Sequence, residues 1–230
     1  MKIRTRVKIC CIANEAEAKL AIAAGADAIG LVAEMPSGPG PITDEAIESI
    51  ARIVPPGVDS FLLTSRTSST SVLDHVRRCR TSVVQLVSTV EPSVYQHLRE
   101  GVPGVRIVQV IHVEDERALP EVKRVAPHVD AILLDSGRPS APIPELGGTG
   151  RVHDWAISSA IVSAVSVPVF LAGGLTPDNV SEAIQTVQPY GLDLCSGVRT
   201  NGVLDTEKLK SFVSAVYRAD EEKVGELAKI

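Results

Sequence analysis

Eight short apolar runs, each followed by a segment of helical periodicity, succeed one another from Val7 to Tyr217, and this alternation restricts the possible folds more than any other feature. The strand-like runs are Val7–Ile12, Ala28–Val32, Phe61–Thr64, Val83–Val87, Ile107–Val113, Ala131–Asp135, Val167–Leu171 and Leu192–Cys195. Helical segments fill the gaps: Glu15–Ala24 with Gly25 as its stop, a helix capped by Thr43 with Asp44 and Glu45 in its first turn, and Ser71–Cys79. A helix entered through Glu91-Pro92, Asp115–Val125, a helix from near Asp154, one opened by Pro177-Asp178 and Asp205–Tyr217 complete the series. Eight such units predict an α/β protein, a single (β/α)8 TIM barrel. A doubly wound open sheet has about five or six strands and carries GxGxxG after its first strand, where Cys11 and Asn14 stand here. The 230 residues suit one barrel of ~250; residues 1–219 are assigned to it and 220–230 to a charged C-terminal extension.

Composition narrows the function. Hydrophobic residues make up 44% but aromatics only 3%, so the core is built from Val, Ile, Leu and Ala, with few rings for stacking bases. A net charge of −5 gives no broad attraction to nucleic acid or an anionic membrane, so neither is expected as a partner. No run approaches the ~18 apolar residues of a membrane span, and Val7 to Ala13, interrupted by Lys8, is too short for a signal-peptide core. Cys10, Cys11, Cys79 and Cys195 show neither CxxC nor Cys/His ligand spacing. A cytoplasmic, metal-free protein is expected, a monomer or homodimer.

The chemistry belongs at the carboxyl ends of the strands, the active face of a barrel. The last two strands run into Gly173-Gly174 and Ser196-Gly197, beside helices whose first turns present backbone N–H groups. Gly147-Gly148-Thr149-Gly150 lies in the long loop after the sixth strand. Together these clusters predict a phosphate cradle. Cys10 closes the first strand and Asp135 the sixth, which makes them the acid–base candidates. Taken singly, the cysteine suits a core position and the aspartate a cap or an ion pair. Strand alternation puts Lys8 and Cys10 on one face with Ile9 and Cys11 on the other, so no Cys10–Cys11 disulfide is expected.

Val7-Lys8-Ile9-Cys10, Gly25-Ala26-Asp27-Ala28-Ile29-Gly30, Leu133-Leu134-Asp135-Ser136, Gly147 to Gly150 with Asp154-Trp155, Leu171-Ala172-Gly173-Gly174-Leu175 and Tyr190-Gly191-Leu192-Asp193 with Ser196-Gly197-Val198 resemble, in order, the phosphoribosylanthranilate isomerase family of tryptophan biosynthesis. The resemblance implies a cofactor-free Amadori rearrangement of a small phosphorylated sugar substrate. It implies Cys10 as general base and Asp135 as general acid; Lys8, Gly148, Gly173, Gly174, Asp193, Ser196 and Gly197 are the substrate-binding candidates, with Lys8, on the face of Cys10, either an electrostatic aid or a structural pair inside the barrel. The family's Lys-Ser-Pro-Arg type loop, whose arginine holds the anthranilate carboxylate, is replaced by Met35-Pro36-Ser37-Gly38-Pro39-Gly40-Pro41. Such a charge-assisted contact contributes ~1.5–3 kcal/mol. Leu-His-Gly becomes Leu86-Val87-Ser88, the glycine after the catalytic cysteine becomes Cys11, and an acidic position becomes Arg199. Three readings stay open: an isomerase of the same substrate with Arg66, Arg138 or Arg199 as the new clamp, the same acid–base pair on another phosphorylated sugar or aminosugar, and a non-catalytic phosphate-binding barrel.

Overall fold

The computed structural model describes residues 4–137 and 153–227. Eight parallel strands close into a barrel in sequence order: β1 (Arg6–Ile9), β2 (Ala28–Val32), β3 (Asp59–Thr64), β4 (Val83–Leu86), β5 (Arg106–His112), β6 (Ala131–Asp135), β7 (Val169–Leu171) and β8 (Gly191–Leu194), with β8 returning to β1. Each strand is followed by a helix: α1 (Glu15–Ala23), α2 (Asp44–Ile53), α3 (Ser69–Cys79), α4 (Pro92–Gly101), α5 (Ala118–Val125), α6 (Trp155–Ala164), α7 (Val180–Val187) and α8 (Thr206–Leu227).

Period-two alternation sorts each strand's residues between two cores. Leu62, Ile132 and Leu134 point outward and pack against the helices. Phe61, Leu63, Val108, Val110, Ala131, Leu133 and Phe170 fill the barrel interior. Full burial of each of these side chains except Ala131 contributes ~1.5–3 kcal/mol, and the barrel closes on aliphatics with few rings, as its composition predicts. The helices start on side-chain caps: Asn14 accepts from Glu17 N at 2.9 Å, Thr43 from Ala46 N at 3.2 Å, and Asp154 from Ala156 N at 2.8 Å.

Two boundaries depart from the pattern-based expectation. The first strand ends at Ile9, not Ile12, because Cys11 adopts φ 60° and turns the chain out of the sheet. The last helix does not stop at Tyr217; it runs unbroken to Leu227. Asp220, a charge that reads as solvent-facing in sequence, is 4% exposed and accepts from Thr5 N at 2.8 Å and Thr5 Oγ1 at 2.6 Å.

The floor of the barrel is tied by aspartates that sequence reading passed over. Asp27 accepts from Val7 N at 2.9 Å and from Arg4 and Arg6, and Asp130 accepts from Ile107 N at 2.7 Å and pairs with Arg99 at 2.8 Å. Asp59 pairs with Arg106 and accepts from Ser82 Oγ. Each carboxylate closes the entry to one strand against its neighbour.

Candidate active site

At the opposite end of the barrel, the strand ends open into a cavity whose lining includes Cys10, Cys11, Met35, Ser37, Gln85, Asp135, Gly173, Gly174, Asp193, Cys195, Ser196 and Gly197. Cys10 and Asp135, from β-segments far apart in sequence, thus share one chamber. Leu63, Val87, Val110 and Leu133 make the wall between them apolar.

Lys8 does not line this cavity. It is fully buried beneath it, donating to Asp193 Oδ1 at 2.7 Å and lying 5.1 Å from the Phe61 ring centroid. Burial alone would pull its pKa down, but Asp193, with Cys10 and Cys11, holds it above the ordinary lysine range. It therefore stays charged under the mouth. A Cβ on Gly30 would sit 2.8 Å from Cys10 Sγ and 3.0 Å from Lys8 Nζ, so thiol and ammonium lie within about 6 Å of each other. Gly30 is the residue that lets them approach.

Asp135 is a perturbed carboxyl of the mouth. Burial pushes its carboxyl up to about 6; the charge of Asp193 adds to the rise, while the Ser136 N–H, 2.7 Å from Oδ1, and Lys8 oppose it. Roughly a tenth of such a group is protonated at pH 7, so both its acid and its base form are available near neutrality.

The alternation argument fails at Cys11. In its left-handed conformation both neighbouring thiols reach the cavity, and Cys11 hydrogen-bonds to Cys10 and Cys195. These bonds raise the Cys11 pKa, while its hydrogen bond and the charge of Arg199 pull Cys195 down. The rim loop packs closely over this turn: a Cβ on Gly40 would fall 2.7 Å from Cys11 Cβ.

Two loops form the glycine-rich side of the cavity. Gly173 and Gly174 have φ of 90° and 62°, a backbone that only glycine adopts without strain. A Cβ on Gly197 would meet the Leu175 carbonyl oxygen at 2.1 Å, so the turn Ser196–Val198 sits directly against the loop after β7. Asn179 braces that loop, accepting from Thr176 N at 2.8 Å and donating to Gly174 O at 2.9 Å. Gly148, the rest of the Gly147–Gly150 cluster and Arg138 lie outside the described residues.

Neither described arginine proposed as a clamp reaches the cavity. Arg199 is spent on the β1–α1 turn, donating to Cys11 O at 2.6 Å and Glu17 Oε2 at 2.9 Å. Arg66 pairs with Asp44 and donates to Ser71 O. Among the described residues that line the cavity there is no arginine or lysine. One set of metal-ligating side chains comes together among the described residues, Asp44, His75 and Cys79, none of which lines the cavity. The His75 ring already bonds Thr64 Oγ1 and Asp44 Oδ1, each at 3.0 Å, and Arg66 and Arg78 flank the other Asp44 oxygen. This network joins α2 to α3 and is satisfied without an ion.

The family model for N-(5'-phosphoribosyl)anthranilate isomerase matches residues 7–215. The chain belongs to the phosphoribosylanthranilate isomerase family. Relatives of that name include the Haloferax volcanii protein, 39% identical over 94% of both chains, and the Methanocella arvoryzae protein, 38% identical over 84% of this chain and 89% of that one. Among solved structures, the Pyrococcus furiosus isomerase superposes with a TM-score of 0.78 at 25% identity, covering 94% of this chain and all of that one. The Thermus thermophilus isomerase gives 0.78 at 29% identity over 93% and 99%. The family's barrel is therefore this chain's barrel. No helix among the described residues is long and apolar enough to cross a membrane.

Proposed function

We propose that this barrel converts N-(5'-phosphoribosyl)anthranilate to the 1-deoxyribulose phosphate in tryptophan biosynthesis by an Amadori rearrangement, with Asp135 as general acid and Cys10 as general base. The observation that carries this is the shared chamber: a raised carboxyl on one side, a thiol above a buried lysine on the other, and glycine loops beside both.

The steps follow from the chemistry of the substrate. Protonated Asp135 gives its proton to the furanose oxygen as the C1–O bond breaks, leaving an iminium at C1. That cation acidifies the adjacent C2–H, and the Cys10 thiolate removes the proton to give the enol form. Return of a proton to C1, with loss of the enol O–H proton at C2, completes the ketose. The phosphate rests on the N–H groups of the loops at Gly173-Gly174 and Ser196-Gly197, which fixes the sugar between acid and base. Asp193 keeps Lys8 charged beneath the thiol.

The loss of the loop arginine left another phosphorylated sugar open as a substrate. Relatives at 38–39% identity that bear the isomerase name favour the anthranilate derivative. Purified protein should consume phosphoribosylanthranilate, followed by loss of its fluorescence, and its gene should rescue an isomerase-deficient tryptophan auxotroph. No turnover and no rescue would rule this reading out.

A further inference from the structure

One residue of the chamber has no task in the mechanism above. Gln85, in the middle of β4, is 3% exposed, lines the cavity with Cys10 and Asp135, and its Oε1 is buried without any hydrogen-bond partner. Its strand neighbours are Leu63 and Val108, in a wall that is otherwise aliphatic. Leaving a buried acceptor unpaired costs stability, and a methionine of similar volume would avoid the cost. The next strand supplies the internal control. Gln109, equally buried on β5, accepts from Tyr95 Oη at 2.9 Å and donates to the carbonyls of Leu86, Ser88 and Val110. The same side chain is thus fully satisfied where it is structural and unsatisfied where it faces the chamber.

We infer that the Gln85 carbonyl oxygen accepts the N–H of the substrate's aryl amine and strengthens that bond as the ring opens. The inference rests on the proposed reaction and extends it. Phosphate and amine are attached at opposite ends of the ribose, so a sugar anchored on the loops after β7 and β8 directs its amine toward the far wall, where β4 stands. In the ground state this amine is a neutral, weak donor. Once the C1–O bond breaks, the nitrogen carries positive charge, and its N–H becomes a strong donor to a preorganised acceptor in a water-poor site. The interaction gains most in the transition state, so it lowers the barrier more than it tightens substrate binding.

Gln85→Met tests this, with Gln109→Met as its structural counterpart, both assayed on phosphoribosylanthranilate beside the wild type. Gln85→Met should lose about 10- to 100-fold in kcat with KM within about threefold, and should unfold at a temperature no lower than the wild type. Gln109→Met should show the reverse, a lower unfolding temperature with kcat kept. Should Gln85→Met fold poorly, Gln85→Asn keeps the amide but withdraws it by one methylene and should show the same fall in kcat. Unchanged kcat in a folded Gln85 variant, or a raised KM with kcat kept, would overturn the inference while the wild type still turns over. A wild type without turnover would instead overturn the function it rests on.

Discussion

The two ends of the barrel are built from the same eight strands and treat their polar groups in opposite ways. On the floor, Asp27, Asp59 and Asp130 each hold at least one arginine and a further donor. At the mouth, Asp135 has a backbone N–H from its own neighbour, Gln85 Oε1 has nothing, and no cation lines the described wall. The void under the floor is the larger, about 370 Å³ against about 90 Å³ at the mouth, yet its charges are already paired. The difference teaches that volume does not mark the reacting end; unspent donors, acceptors and displaced pKa values do.

That contrast can be broken by exchanging losses between the ends. Cys10→Ser and Asp135→Asn should each cut kcat/KM by about 10²- to 10⁴-fold, the range of a removed general acid or base, without lowering the urea midpoint. Asp27→Ala on the floor should do the opposite, keeping kcat while losing ~1.5–3 kcal/mol of stability with its charge-assisted bonds. A floor variant that loses catalysis with full stability would dissolve the distinction.

The mouth should also be the end where pH governs stability. A carboxyl that titrates near 6 rather than 3.8 stabilises the fold fully below the lower value and loses that contribution as pH rises through the higher one. Once ionised, Asp135 therefore costs ~3 kcal/mol. The advantage of Asp135→Asn over the wild type in chemical unfolding should be near zero below pH 4, grow between 4 and 6, and level off above. A difference that does not change across this window would mean that Asp135 titrates normally.

Gly30→Ala is a case where the two properties should fall together. Its methyl would press on Cys10 Sγ, Lys8 Nζ and, at 3.1 Å, Cys10 Cα, so ~1–3 kcal/mol of stability and much of the activity should go at once. Smallest of all should be Arg106→Ala. Its exposed pair with Asp59 belongs to a class that contributes ~0–1 kcal/mol, and turnover should not change.

How much of this was legible follows the range of each signal. The strands and helices stood out because apolar period and caps are local, and Cys10 and Asp135 stood out because they close strands. Cys11 was placed on the wrong face because alternation assumes extended backbone, and a positive φ at a cysteine leaves no local mark. Gln85 read as an ordinary strand residue, since an orphaned acceptor is defined only by what surrounds it in space. The floor aspartates and Asp220 were missed for the same reason: their partners Val7, Ile107 and Thr5 lie at least 20 residues away. Arg199 looked like a free clamp until Glu17 and the Cys11 carbonyl were found holding it.

The central claim is that Cys10 and Asp135 serve one reaction from two sides of the mouth, and a double-mutant cycle on turnover of phosphoribosylanthranilate tests it most directly. Groups acting on one sequence of bond changes should not contribute independently: the Cys10→Ser, Asp135→Asn double variant should be within about threefold of the slower single variant. Losses that multiply, or either single variant turning over at the wild-type rate, would contradict it.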